Sequence, residues 1–154
     1  MTVSLRKADI KDAKNIQALI ASYAKQDLML FRSLLEIYEN IRDYFVACSG
    51  NKIIGCCALH VCWEDLAEVK ALAVDEAYKD KGIGRRLVAA ALNEAKSIKA
   101  KKIFCLTYAP EFFKKFGFKK ISRKKLPHKI WTECLKCPKF PNCDEQAMML
   151  TLNR

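Results

Sequence analysis

The sequence predicts an α/β protein with a mixed central β-sheet flanked by helices. Three observations predict it. Short apolar runs of strand length recur along the chain. Segments with apolar residues at helical spacing alternate with them. One of the strands, ending at Val74, passes through a glycine-containing turn directly into a helical pattern.

The elements follow in order. Residues 3–8, "VSLRKA", form a first strand. Asp9 then caps a helix whose apolar residues Ile10, Ala13, Ile16, Leu19, Ile20 and Tyr23 keep helical spacing. A second helix starts at Ser33, with Leu34, Leu35, Ile37, Tyr38 and Ile41 expected to face the core. "YFVACSGNKIIGCCALHVCW" reads as two antiparallel strands joined by the turn Ser49-Gly50-Asn51-Lys52. "LAEVKALAVD" is a further strand, followed by the glycine turn and a helix from Ile83 to about Ile98. "KKIFCLT" is a strand, "PEFFKKF" a short helix with proline in its first turn, "GFKKIS" a strand, and "AMMLTL" a last strand.

At 154 residues and 17.6 kDa the chain is expected to be one domain, 1–154. Within it, residues 126–146 form an irregular cysteine-rich tail before the last strand. The longest charge-free run, Ile53–Trp63, has eleven residues, short of the roughly 18 a membrane helix needs. The N-terminus lacks the apolar core of a signal peptide, so a cytoplasmic, membrane-free protein with reduced thiols is expected. Of the eight cysteines, Cys48, Cys56, Cys57, Cys62 and Cys105 fall in strand-like runs, where a free thiol packs as a small hydrophobe.

The net charge of +11 is uneven: from Lys96 to Lys129 there are twelve Lys or Arg and one acid, Glu111. Such a surplus fits nucleic acid, an acidic surface or a phosphorylated small molecule, and equally a solvated face. The motifs decide. In "YKDKGIGRRL", Gly82 and Gly84 follow a strand and open a helix, where free N–H groups and close backbone approach make an anion site. Lys79, Lys81, Arg85 and Arg86 add positive charge. A dinucleotide fingerprint would need glycine at 87, where Leu87 stands, and a Walker loop would need Gly-Lys-Ser/Thr. Both readings fail.

The turn Lys79-Asp80-Lys81-Gly82-Ile83-Gly84, together with "EFFKKFGF" (Glu111–Phe118) about 30 residues on, resembles the GNAT acyltransferases along nearly the whole chain. The resemblance implies a sheet that splays between two parallel strands, here Ala67–Val74 and Lys102–Thr107, with acetyl-CoA laid into the splay. It implies cofactor contacts from Leu72, Ala73, Val74, Lys79, Asp80, Lys81, Gly82, Ile83, Gly84, Arg85 and Phe113. The basic half is then at least partly a cofactor dock. It further implies direct attack of an amine on the thioester, so that neither Cys56 nor Cys57 need carry an acetyl group. Backbone N–H groups around Leu72–Val74 would stabilise the oxyanion. Glu68, with Glu64 and Asp65 as alternatives, would be the base acting through water. Many members place a tyrosine on the short helix to protonate the leaving thiolate. Phe113 stands there in this chain, and Tyr108 is the remaining candidate acid.

"RSLLEIYENIRDYFVA", "IIGCCALHVCWEDLAEVKALAVD", "LTYAPEFFKKFGF" and "LPHKIWTECLKCPKFPNCDE" resemble more narrowly the short, kinase-less N-acetylglutamate synthases. That resemblance implies an amino-acid acceptor, glutamate foremost, and the first step of arginine synthesis. It makes Arg32 a carboxylate fork and Lys70, on the face of Glu68, a second cation for the substrate. A further substrate arginine of the long form has no counterpart in "LTYAPEFF".

His128, Cys134, Cys137 and Cys143 supply four soft ligands within sixteen residues, a pattern that fits a structural zinc site as well as free thiols. Three functional classes are therefore open. They are a small-molecule amino-acid N-acetyltransferase, a protein or other small-amine acetyltransferase, and a non-catalytic acyl-CoA binder or basic nucleic-acid module. The phenylalanines sit at core spacing rather than as a stacking platform, which disfavours nucleic acid. The apolar last strand is a candidate pairing edge for a second subunit in a homodimer.

Overall fold

The structure is a computed structural model that describes residues 2–126 and 145–152. Its strands are β1 (Val3–Lys7), β2 (Tyr44–Ser49), β3 (Lys52–Trp63), β4 (Leu66–Val74), β5 (Lys102–Thr107), β6 (Lys119–Lys120) and β7 (Gln146–Thr151). The helices are α1 (Ala13–Ala24), α2 (Leu34–Glu39), α3 (Ile83–Ser97) and α4 (Pro110–Lys114). The strands make one mixed sheet in the order β1-β2-β3-β4-β5-β7-β6, with β4 and β5 parallel. No helix among the described residues is long and apolar enough to cross a membrane. The contacts divide the chain into two compact units, Met1–His60 with Val69–Ala95 and Val61–Glu68 with Lys96–Arg154.

In the first unit, Asp9 caps a single tight turn, Ile10–Asp12, before α1 begins at Ala13. Asp9 and Asp12 form a reciprocal capping box, which fixes the entry of the helix. The inward residues Ala13, Ile16 and Ile20 then pack with Ile37 against Val46, Cys48, Cys56, Ala58 and Ala73 of the sheet. Each large aliphatic side chain so buried contributes about 1.5–3 kcal/mol. On β3, Gly55 meets α3. A Cβ there would come within 3.1 Å of Leu87 Cδ1 and 3.4 Å of Ala73 O, so a larger residue would need Leu87 to give by a few tenths of an ångström.

Two sequence expectations change. Ser33 caps α2 as predicted, but the helix lasts six residues and ends at Asn40. So short a helix turns one narrow face inward, carrying Ile37. Leu35 and Tyr38 are 67% and 38% exposed rather than core-facing. The last strand also differs from expectation. β7 pairs with β5 over Gln146–Thr151 and with the two-residue β6 through Met148 and Met149, so it lies inside the sheet rather than at its edge.

The second unit has its own core, Leu66, Phe104, Leu126 and Ala147, with Cys62, Leu106, Ile121 and Met149 packed against it. Leu126, the expected start of the irregular tail, is thus a core residue, and Gln146 already belongs to β7.

Candidate active site

The glycine turn is built from β4 outward. Asp75 accepts a hydrogen bond from the Ala77 N–H at 3.0 Å and starts a single turn, Glu76–Tyr78. Lys79 is extended, Asp80 adopts φ 61°, Gly82 adopts φ 78°, and α3 begins at Ile83. These two left-handed residues lead directly into the N-terminal N–H groups of a fifteen-residue helix, a place suited to an anion. A Cβ added at Gly82 would meet nothing within 4 Å, so the space over the turn is open. Ile83, 2% exposed, anchors the turn in the core, while Lys79, Lys81, Arg85 and Arg86 are exposed around it. These cations lie in the first unit, whereas the basic run from Lys96 onward belongs to the second.

Tyr23 on α1 ties this turn to β4. Its hydroxyl donates to the Val74 carbonyl, and the Lys79 ammonium lies 5.6 Å from its ring centroid. Lys79 also pairs with Glu76 at 3.0 Å. Burial raises the Tyr23 phenol above its ordinary value, opposed by the Lys79 charge, so the hydroxyl is held as a donor.

β4 is kinked at Ala71, whose φ of 57° is left-handed. Such a residue costs an alanine about 1–2 kcal/mol relative to ordinary backbone, yet burial keeps alternating from Val69 to Val74. Past the kink, Ala73 remains in the core while Leu72 and Val74 are half-buried. The parallel register with β5 covers three pairs, from Leu66↔Lys102 to Glu68↔Phe104.

Glu68, 6% exposed, closes that register in the second unit. Its charge is one reason the Cys105 thiol is pushed up, after burial itself. Tyr108 is half-buried just beyond β5, where Thr107 Oγ1 accepts a hydrogen bond from the Ala109 N–H at 2.8 Å. Phe113 is buried in edge-to-face contact with Phe112 and Phe118, at centroid distances of 5.1 and 5.4 Å. Of the alternative acids, Glu64 is exposed, and the Asp65 carbonyl accepts the N–H groups of Lys101 and Lys102.

Arg32 and Lys70 lie in the first unit. Arg32 is buried, with Nη1 2.7 Å from Glu36 Oε2 and its carbonyl accepting from Gln17 Nε2 at 3.3 Å. It also counteracts the burial that raises the Tyr44 phenol. Lys70 is half-buried on β4. The sites expected from sequence thus fall into two sets. Arg32, Lys70, Leu72–Val74 and the turn belong to one unit, and Glu68, Tyr108 and Phe113 to the other. Tyr23, Glu36 and Cys56 were not singled out as site residues by the sequence. The Arg32–Glu36 spacing of four was the one available signal. The expected metal ligands His128, Cys134, Cys137 and Cys143 lie outside the described residues. Among the described residues no three metal-ligating side chains cluster.

Known proteins resemble this chain along most of its length. The model of the acetyltransferase (GNAT) family matches residues 10–118. An uncharacterized N-acetyltransferase of Chlorobaculum tepidum is 43% identical over 96% of both chains. An amino-acid acetyltransferase of Mycobacterium tuberculosis is 33% identical, covering 84% of this chain and 75% of its own. Among solved structures, N-acetylglutamate synthase from Neisseria gonorrhoeae, complexed with coenzyme A and N-acetyl-glutamate, superposes with a TM-score of 0.89 at 27% identity. The match covers all of this chain and 36% of that one. The kinked strand, the left-handed glycine turn and the match over most of the length converge: the chain belongs to the acetyltransferase (GNAT) family.

Proposed function

We propose that the protein transfers the acetyl group of acetyl-CoA to the α-amine of L-glutamate, by direct attack of the amine on the thioester. The observation that carries the reading is the sequence of two backbone devices, the kink at Ala71 and the anion-binding turn at Asp80–Gly82, on one strand–turn–helix. The turn suits the cofactor's diphosphate through backbone N–H groups and the cations around them. Within Leu72–Val74, the N–H groups of Leu72 and Val74 would meet the thioester oxygen as it becomes negative, the Ala73 amide facing the Cys56 sulfur instead. One such donor is commonly worth about 10²–10³ in rate.

The buried Arg32 supports an acidic amino acid as acceptor. It would hold a carboxylate, with Lys70 as a second cation. Glu68 would receive the ammonium proton through water. The amine nitrogen would then bond to the carbonyl carbon, and collapse of the tetrahedral intermediate would break the C–S bond. Tyr108 or solvent would protonate the departing thiolate, which needs little help because a thiol has a pKa near ~8.5. The relatives named amino-acid acetyltransferase and the structural neighbour solved with N-acetyl-glutamate support the same acceptor class.

Phe113 favours one second reading, an acyl-CoA binder without turnover. It carries no donor at the position where the resemblance implies a tyrosine, and it is buried among other rings. Mass-spectrometric product detection with acetyl-CoA and a panel of free amino acids separates the two. N-acetylglutamate as the dominant product is expected. Coenzyme A binding with no acetylated amino acid would overturn the synthase reading.

A further inference from the structure

We propose that Cys56 is a positioning residue for acetyl transfer, its thiol holding β4 in the kink that sets the Leu72–Val74 backbone N–H groups. The proposal rests on the reading above for what those N–H groups do, and on the structure for how they are held. Ala71 sits in the left-handed region at φ 57° in the middle of a strand, without glycine's freedom. A conformation of that cost persists only where its surroundings fix it.

The neighbouring strand supplies the fixing group. Cys56 Sγ lies 3.3 Å from the Ala71 carbonyl, within reach for a thiol donor. The same sulfur faces the Ala73 backbone N–H. One side chain thus spans the carbonyl before Leu72 and the amide after it, the two backbone groups that flank the first proposed oxyanion donor. Cys56 is wholly buried in the core cluster that also holds Ala71 and Ala73. Burial pushes the thiol up to about 12, so it keeps its hydrogen near neutral pH and serves as a donor rather than a nucleophile. Packing alone would require a small apolar group at this place. The proposal requires a donor.

Alanine and serine separate the two. Cys56→Ala removes the sulfur and its hydrogen bond, whereas Cys56→Ser keeps a donor but buries a more polar group, at a greater cost to the core. Amide hydrogen exchange of the β4 peptide reads the kink without any reaction. Steady-state kinetics with the accepted amino acid reads its consequence. For Cys56→Ala, β4 exchange is expected to rise about ten-fold and kcat to fall about ten-fold, with the KM for acetyl-CoA within about two-fold. Cys56→Ser is expected to restore most of both, although it is the less stable protein.

Wild-type exchange and kcat in Cys56→Ala, or no recovery in Cys56→Ser, would overturn the proposal. Should Cys56→Ala not fold alone, the double variant with Ala71→Gly removes the left-handed strain. It is expected to regain the exchange protection that the thiol otherwise supplies. Failure to regain it would count against the proposal. If the wild type acetylates no amino acid, the functional reading fails by itself, and the exchange experiment still decides whether Cys56 holds the kink.

Discussion

Tyr23 on α1 donates its phenolic hydrogen to the carbonyl of Val74, the last residue of β4, and the same ring carries the Lys79 ammonium on its face. One helical side chain thereby fixes both the end of the strand and the start of the glycine turn. Tyr23→Phe keeps the ring and removes the hydrogen bond. We expect a loss of about 0.5–1.5 kcal/mol in stability, read by denaturant midpoint. Coenzyme A affinity should weaken a few-fold in calorimetry while the KM for the amino acid stays put.

Gly82→Ala tests the turn itself. Space for the methyl exists, so its cost comes from φ 78°, about 1 kcal/mol for a non-glycine residue. Relief of that strain would flatten the curl that gathers the N–H groups. Coenzyme A binding should fall about ten-fold or more by calorimetry, with a far smaller change in thermal stability.

Arg32 and Glu68 should fail in different ways. On the proposed mechanism Arg32→Ala removes a carboxylate contact made in the ground state and the transition state alike, so the KM for the proposed acceptor, glutamate, should rise about ten- to hundred-fold with little change in kcat. On the proposed mechanism Glu68→Gln removes the base, and kcat should fall about 10²-fold or more with KM nearly unchanged. Initial-rate kinetics on both variants reads the split.

A pH dependence of stability originates at Asp12. Its carboxylate accepts two hydrogen bonds from Arg6, at 2.7 and 3.0 Å, and one from the Asp9 N–H at 2.8 Å. The Arg6 hydrogen bond lowers its pKa below the ordinary 3.8 despite the opposing effect of burial. The folded state therefore binds this proton less readily than the unfolded state. The stabilisation is complete above about pH 4 and is lost as the pH falls through the lowered folded value. Asp12→Asn should show a shallower loss on the acid side. At pH 7 it should be less stable by about 1–2 kcal/mol, Arg6 being half-exposed and partly screened. Urea titrations across pH 2.5–7 would measure both, on the scale where about 1.4 kcal/mol is tenfold in the folding equilibrium.

The five described cysteines should react unequally. Cys48, Cys56, Cys57 and Cys105 are buried, and burial also raises the thiols of Cys56 and Cys105, whereas Cys62 is half-exposed. Iodoacetamide at mildly alkaline pH should label Cys62 first among them. Peptide mapping should show the other four protected until denaturant is added.

What the sequence disclosed depended on how local the signal was. The strands and α1 and α3 were legible because apolar spacing is a property of ten consecutive residues. The glycine turn was legible because Gly82 marks a left-handed position that other residues avoid. The kink at Ala71 was not, since alanine advertises no such conformation and its support comes from a different strand. The outward faces of Leu35 and Tyr38 were misread because periodicity gives a stripe but not the length over which a helix presents it. The pairing of β7 escaped for a similar reason: an apolar strand announces that it needs neighbours, never which ones.

The insertion of β7 between β5 and β6 also bears on how the chain matures on the ribosome. β1, β2 and β3 can pair once residues 3–63 have emerged, and their contacts are complete well before synthesis reaches β7. β5 and the two-residue β6, by contrast, share a neighbour whose paired residues emerge 28 to 49 residues after theirs. During that interval an apolar strand has an unsatisfied edge, open to association with other nascent chains. The hazard for this protein in the cell therefore lies late in translation, between the emergence of Thr107 and that of Thr151, rather than in the part that holds the cofactor turn.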